Sequence, residues 1–182
     1  FFSRRLLVPI SGLAQGVRAI SRQNFKHRVD FRSEDEFGQL ISVFNKTIAG
    51  MAALAIGTAV QKSLLPSGEL SIGKFSLYAR SEFMSRMGGD YFDYFQPAPG
   101  RLGVFFGDVA GHGIPAALMM SMAKAVVVSA GSDFSGPAAM LQRANSVFLH
   151  LKEKGWKRMM TAQCLELDCD TGYFRFANAG QC

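Results

Sequence analysis

The sequence has few of the residues that build cross-linked or zinc-bound domains, since its 182 residues include only three cysteines and three histidines. Cys164, Cys169 and Cys182 are odd in number, and they lack the paired spacing of a zinc site with a histidine nearby. We therefore predict free thiols in a reducing compartment rather than a disulfide framework or a structural zinc ion. The sequence also lacks internal repeats and low-complexity tracts, and its apolar content excludes a disordered chain.

A long uncharged run is missing as well. The longest such stretch, 47–61, is too short and too rich in Gly and Ala to cross a bilayer comfortably. Arg4 and Arg5 follow Phe1 and Phe2 after a single serine, as basic residues do at the cytoplasmic end of a membrane helix. We therefore expect any membrane anchor to lie before Phe1, with this chain on the cytoplasmic side.

The basic residues give the chain a net charge of +6, which by itself would allow a nucleic-acid partner. They are spread along the sequence, however, and no stacking aromatic residues alternate with them. We therefore predict no nucleic-acid partner.

Two apolar seams with alternating spacings of three and four residues predict two helices in the first third of the chain. The first helix is predicted to begin near Pro9, and a basic connector, 22–33, separates it from the second. The seams consist of Leu6, Ile10, Leu13, Val17 and Ile20, and then of Phe37, Leu40, Phe44, Thr47, Met51 and Leu54. Because helices of this length are marginal alone, the pattern favours a dimeric four-helix bundle.

The first third also resembles a HAMP signalling module. The resemblance rests on Val-Pro-Ile at 8–10, Asp-Glu-Phe-Gly at 35–38 and Phe-Asn at 44–45. It implies a homodimer through the helices, and it predicts a HAMP domain over 1–55 with a helical connector over 56–66. An unrelated helical hairpin is the alternative.

The remaining residues, 67–182, predict a mixture of strands and helices. Alternating or apolar runs predict strands over 74–80, 102–106, 161–167 and 173–177, with a hairpin at the Asp-Cys-Asp-Thr-Gly segment 168–172. Residues 114–130 are apolar on nearly every face and predict a buried helix, in which the methionines Met119, Met120 and Met122 serve packing. A further helix is predicted from 135–137 to Gly155, with Ser135 as its cap.

Two motifs in this part place an aspartate beside glycine: 87–93 (Met-Gly-Gly-Asp-Tyr-Phe-Asp) and 107–113 (Gly-Asp-Val-Ala-Gly-His-Gly). Either one alone reads as an ordinary turn. Together, Asp90 and Asp108 indicate a divalent-metal site, because hard cations prefer carboxylate and carbonyl oxygens and can activate water for attack on phosphorus. For Asp93 we favour a structural role over an indirect role at the metal, and we expect His112 to shape its turn.

The second part resembles the SpoIIE- and RsbU-like branch of the protein phosphatase 2C family. The resemblance covers about 61–182 and rests on four motifs in the family's order, at 61–66 (Gln-Lys-Ser-Leu-Leu-Pro), 88–93, 107–117 and 178–180 (Asn-Ala-Gly). It implies an α+β fold in which a helical HAMP-type segment precedes an incomplete sandwich of two mainly antiparallel sheets flanked by helices.

The same resemblance implies a serine/threonine protein phosphatase that uses Mn²⁺ or Mg²⁺, with two ions in the complete domain. Asp90 and Asp108 are then the catalytic metal ligands, and the carbonyl of Val109 is a third ligand. It also implies a small phosphoprotein substrate, such as an anti-sigma-factor antagonist, and a place on the cytoplasmic side of the bacterial inner membrane.

Two departures from the family pattern keep other functions open. Gln181 stands where the family has histidine, and the family's later Asp-Gly motif would lie beyond Cys182, so we expect residues 1–182 alone to be weakly active or inactive. A non-catalytic scaffold is therefore one alternative. A diguanylate cyclase is another, because 86–92 resembles the Gly-Gly-Asp-Glu-Phe signature, although Tyr91 replaces its acidic residue.

Overall fold

The computed structural model describes residues 2–81, 87–130 and 133–181, and it divides into two compact units, Phe1–Gly57 and Thr58–Cys182. Phe1, Cys182 and the first residue of the 86–92 motif lie outside the described residues. In chain order the elements are α1 (Phe2–Ser21), α2 (Glu36–Leu64), β1 (Glu69–Ile72), β2 (Phe75–Tyr78), β3 (Asp90–Phe95), β4 (Arg101–Val109), α3 (Ile114–Ala130), α4 (Pro137–Glu153), β5 (Met160–Asp168) and β6 (Phe174–Ala179).

The first unit is helical, as the sequence predicts, but α1 begins at Phe2 rather than near Pro9. Pro9 lies inside α1 and removes one backbone hydrogen bond there, but Leu6 on its amino-terminal side belongs to the same apolar seam and favours continuation of the helix. The two helices approach closely, because a Cβ on Gly16 would lie 2.4 Å from the Phe44 ring.

The start of α2 explains the Asp-Glu-Phe-Gly motif. The Asp35 carboxylate accepts hydrogen bonds from the backbone N–H groups of Phe37 and Gly38, both at 3.1 Å, and so caps the helix. Gly38 has to be glycine because a Cβ there would lie 1.8 Å from the carbonyl oxygen of Ser33. The motif therefore fixes the point at which the connector turns into α2.

The predicted seam of α2 is only partly covered within one chain. Leu40 is 50% exposed and Leu54 is 39% exposed, whereas Ile41 and Ile48, which the seam omits, are buried. Exposed apolar side chains on a short bundle are what a second copy would cover, so the homodimer stays a prediction.

By length and composition alone, α2 could also cross a membrane, with a mean hydropathy of 1.5 over its most apolar window. Lys46 interrupts the uncharged part of this helix, so the uncharged stretch 47–61 is shorter than the helix itself. The evidence for a span is weak, since core helices of soluble proteins pass the same test. The last turns of α2 also bury a polar side chain, Gln61, in the second unit.

The second unit is built on a four-stranded antiparallel sheet in the order β3-β4-β5-β6, together with a separate β1-β2 hairpin. The predicted hairpin between β5 and β6 is confirmed. The strand β1 was missed, as was β3, whose residues the sequence indicated only as a glycine-rich motif. Both are short strands, and β3 gains its partner only from β4.

One face of this sheet forms the core. Side chains alternate across a strand, so Tyr91, Phe105 and Cys164 point to the same side, where they pack with buried residues of α3 and α4. The opposite face borders β2, with which it lines an apolar cavity, and it leaves Phe106 and Phe176 exposed.

The helix α3 covers 114–130, as predicted, and α4 begins at Pro137. The prediction of a Ser135 cap is wrong, because Gly136 is the N-cap residue and no side chain caps the helix. Cys164 and Cys169 are free and buried, as predicted. Burial raises the pKa of the Cys164 thiol to about 12, so it stays protonated and unreactive at neutral pH.

Candidate metal centre

The structure brings the two glycine-aspartate motifs together across the first pair of strands. Asp90 opens β3 and lies directly opposite Asp108 in the register of β4. Two main-chain hydrogen bonds continue the contact beyond the strand: Val109 N–H donates to Gly89 O at 3.2 Å, and Gly113 N–H donates to Met87 O at 3.2 Å. Residues separated by eighteen positions in sequence therefore become one site.

The two carboxyl groups of the site repel each other. Partial burial, the negative charge of Asp108 and a hydrogen bond with its side chain together raise the pKa of the Asp90 carboxyl. Directly opposed residues on one face of an antiparallel pair are separated by only about 5 Å between Cβ atoms. Such a pair of acids gains most from a neighbouring cation, which relieves the repulsion.

Gly89 allows oxygen atoms of the second motif to approach its backbone closely beside this pair. A Cβ at this position would lie 2.3 Å from the carbonyl oxygen of Val109, and 3.2 Å from both Asp108 Oδ1 and the carbonyl oxygen of Gly111. Only glycine can occupy this position without moving backbone atoms. Three oxygen atoms therefore converge there, and one of them, the Gly111 carbonyl, was not predicted from the sequence.

The loop after β4, which contains His112, is shaped by two glycines. Gly111 and Gly113 have φ angles of 94° and 81°, which side-chain-bearing residues rarely adopt. His112 lies between them and is exposed. The turn delivers the chain to the first residue of α3, Ile114.

Asp93 faces the other side of the sheet, away from Asp90. Its buried carboxylate accepts hydrogen bonds from the Tyr91 hydroxyl at 2.6 Å and from Lys124 Nζ at 2.7 Å. Burial and the charge of Asp93 raise the pKa of Tyr91, so its hydroxyl remains a donor. The geometry agrees with the structural role that we favoured for Asp93, which ties β3 to α3.

Thr161, to which the sequence motifs assigned no role, and Gln181 also lie near the site. Thr161 pairs with Asp108 in the β4-β5 register, and its hydroxyl donates to the side-chain oxygen of Gln181. The Gln181 backbone is held in turn by Asn178, through bonds of 2.9 Å in both directions. The residue that departs from the family pattern therefore lies one strand away from Asp108.

Gln61, near the end of α2, contacts the first motif directly. Its amide nitrogen donates to Gly88 O at 2.6 Å and lies 3.2 Å from the Met120 sulfur. Its side-chain oxygen is buried and has no hydrogen-bond partner among the described residues. The Gln61 motif at 61–66 was recognised from the sequence only as part of a family pattern, with no role.

The donor set fits a hard divalent cation such as Mn²⁺ or Mg²⁺, because it consists of carboxylate and carbonyl oxygens. Within residues 2–81, 87–130 and 133–181, however, no group of three or more acidic, histidine or cysteine side chains comes together. Asp90 and Asp108 carry two negative charges, which are few for holding two ions with a total charge of +4.

Comparison with protein families gives two matches. Residues 1–51 match the HAMP domain, and residues 98–182 match stage II sporulation protein E, SpoIIE. No curated protein sequence matches the chain significantly.

Two solved structures resemble the chain. The SiaA-PP2C domain of Pseudomonas aeruginosa aligns with a TM-score of 0.55 and 21% identity, over 73% of this chain and 55% of that one. The RsbU and RsbW domains of Rv1364c from Mycobacterium tuberculosis align with a TM-score of 0.44 and 29% identity, over 56% of this chain and 27% of that one. The first likeness shows a PP2C-like fold, and this chain spans about half the length of the SiaA structure.

Proposed function

We propose that this chain, which joins a HAMP domain to a SpoIIE-type domain, belongs to a metal-dependent protein serine/threonine phosphatase. The observation that supports the proposal most is the direct pairing of Asp90 with Asp108, next to the carbonyl oxygens that approach Gly89. Asp90, Asp108 and the Val109 carbonyl would hold Mn²⁺ or Mg²⁺. When bound, such ions neutralise phosphoryl charge and make water a stronger nucleophile.

The protein residues then have defined tasks. Asp90 and Asp108 supply the negative charge that would retain the cations, and Gly89 allows the Val109 carbonyl to lie close to the Asp108 carboxylate. The main-chain bonds of Val109 and Gly113 keep the two motifs in register while a substrate binds. This arrangement provides positioning and charge stabilisation, the main requirements for phosphoryl transfer to water.

We further propose a phosphorylated regulator as the substrate, such as an anti-sigma-factor antagonist, and a membrane-proximal location at the cytoplasmic face of a bacterial inner membrane. The HAMP match supports a receptor context and dimerisation, because its helices expose apolar side chains that a second copy would cover. These finer assignments follow from the family resemblance.

The experiment compares manganese-dependent hydrolysis of a phosphoserine peptide by the complete gene product and by its Asp108→Asn variant. We expect at least a ~100-fold loss, beyond what removal of an indirect metal contact typically costs. Asp170→Asn is the matched control, because Asp170 is exposed in the β5-β6 turn, and it should retain wild-type activity. Unchanged activity in Asp108→Asn would refute the ligand assignment, and no hydrolysis by the wild type would favour the scaffold function.

Regulation through α2 is the second part of the proposal. The helix runs without interruption through Gly57, and Gln61 bonds to the first motif, so a twist of the helix would reach Gly88. We expect four glycines inserted after Gly57 to uncouple the HAMP domain from hydrolysis, giving the activity of a variant that lacks residues 1–51.

The matched control for this insertion is seven helix-forming residues at the same place, which nearly preserve the helical phase. That variant should stay regulated. If the glycine insertion leaves regulation intact, α2 does not transmit the signal.

A further inference from the structure

A basic side chain lies beside the candidate metal centre without a task in the proposal above. Arg158 precedes β5, and its Nη1 donates to the carbonyl oxygen of Ala110 at 2.7 Å. The guanidinium lies directly over Gly111, because a Cβ on that glycine would be 2.1 Å from Nη1. Gly111 therefore serves two needs, the positive φ of its turn and the space that Arg158 occupies.

The turn does not depend on this side chain for its position. The Ala110 N–H already donates to Met159 O at 2.9 Å, and the Gly113 N–H donates to Met87 O at 3.2 Å. The main chain therefore holds the segment on both sides of Gly111. An arginine that only fixed the turn would add little to these bonds.

The charge of Arg158 is also not compensated by any carboxylate in the described part of the chain. Among the described residues no carboxylate forms a salt bridge with it, whereas Arg101 and Arg175 both pair with Glu166. A guanidinium carries five N–H donors, and the bond to Ala110 uses only one of them. The remaining donors have no hydrogen-bond partner within 2–81, 87–130 and 133–181, and they can bind an anion in the two-pronged manner that suits phosphate.

These donors lie close to the candidate metal centre. The guanidinium lies against Gly111, and the carbonyl oxygen of Gly111 lies as close to a Cβ built at Gly89 as Asp108 Oδ1 does, at 3.2 Å. An anion drawn to cations at Asp90 and Asp108 would thus come close to a positive side chain.

We propose that Arg158 is a substrate-binding residue that contacts the phosphoryl group of a phosphomonoester held beside Asp90 and Asp108. The inference rests on the proposed phosphatase function and adds a phosphate-recognition residue to it. The arginine binds a dianionic group that the two aspartates alone would repel, and it stays in place through its bond to Ala110.

The test measures binding of inorganic phosphate to the manganese-saturated complete gene product by calorimetry. We expect Arg158→Met to weaken phosphate binding by about 10- to 100-fold, the usual effect of losing hydrogen bonds to a charged group. Arg158→Lys should give an intermediate loss, because it keeps the charge without the planar fork. Lys157→Met, the matched control for net charge, should bind phosphate as the wild type does.

Manganese affinity, measured separately by electron paramagnetic resonance, distinguishes recognition from support of the turn. It should be unchanged in Arg158→Met. The inference is overturned if phosphate binding is unaffected, if the wild type binds no phosphate, or if manganese and phosphate affinity fall together. If phosphate binding depends on Arg158 but the wild type hydrolyses no phosphoserine peptide, the inference stands and the phosphatase proposal fails.

Discussion

The two faces of the four-stranded sheet use the same residue type for opposite purposes. On one face Asp93 is buried and receives hydrogen bonds from Tyr91 and Lys124. On the other face Asp90, three residues earlier in β3, is exposed next to a second carboxylate, that of Asp108. One acid is neutralised by the protein and the other is left in need of a cation.

The difference shows that two aspartates of one sequence motif can lie on opposite faces of the sheet. Two residues of a strand lie on the same face only when their separation is even. Asp90 and Asp93 are three apart, so they lie on opposite faces. The strand that carries both therefore couples the core, through Lys124 of α3, to the candidate metal centre. We therefore expect substitutions on the core face to reduce mainly stability and substitutions on the opposite face to reduce mainly metal binding.

The largest effect on stability is expected from Asp93→Ala. The substitution leaves Lys124 and the Tyr91 hydroxyl without their acceptor, and breaking a buried ion pair costs about 3 kcal/mol. Thermal unfolding should show a clear fall in Tm, while manganese affinity of the folded protein stays near that of the wild type.

The double variant Asp93→Leu/Lys124→Met is the control for this prediction. It removes both charges together, so much of the lost stability should return. An equal loss in the double variant, or a loss of manganese binding larger than that of stability, would place Asp93 in the metal centre after all.

Gly89→Ala should have an intermediate effect on the opposite face. Its Cβ would meet the Val109 carbonyl at 2.3 Å, so the backbone must shift at a cost of about 1–3 kcal/mol. Manganese affinity should fall with it, because the shift moves the Val109 carbonyl oxygen away from Asp108. Gly50→Ala, where no atom lies within 4 Å of the new Cβ, should be neutral or slightly stabilising. Equal behaviour of the two variants would contradict the steric argument.

The smallest effect is expected from Asp90→Asn without metal. The raised pKa of Asp90 means that its ionised form costs stability above the folded-state pKa, and this cost disappears below the unfolded-state value. At neutral pH the variant should therefore unfold about 1–2 °C higher, since exposed charges contribute only ~0.5 kcal/mol. The gain should shrink as the pH falls, which thermal scans between neutral and acidic pH can follow.

With added manganese, the wild type should become more stable than Asp90→Asn. The ion binds and stabilises the folded wild type, and it should stabilise the variant much less. A metal-free variant that is less stable than the wild type at neutral pH would show that the two carboxylates do not repel each other in the way described here.

Much of the fold was predictable because local patterns specify it. The apolar run of α3 and the turn between β5 and β6 carry their own signals, and both agree with the structure. The start of α1 at Phe2 and the N-cap at Gly136 did not follow from local rules. Proline disfavours a helix interior, yet α1 continues through Pro9. Serine favours the N-cap position, yet Gly136 and not Ser135 is the N-cap residue of α4.

The sequence by itself determined which residues could form the site, because glycine next to aspartate in two motifs limits the chemistry to oxygen ligands and close backbone approach. Only the tertiary structure decided which of them meet. The register of β3 against β4 pairs Asp90 with Asp108, strand alternation turns Asp93 to the core, and the start of β5 delivers Arg158 to Gly111. Pairing between distant strands has no local signature, since it depends on the burial and hydrogen bonding of the whole sheet.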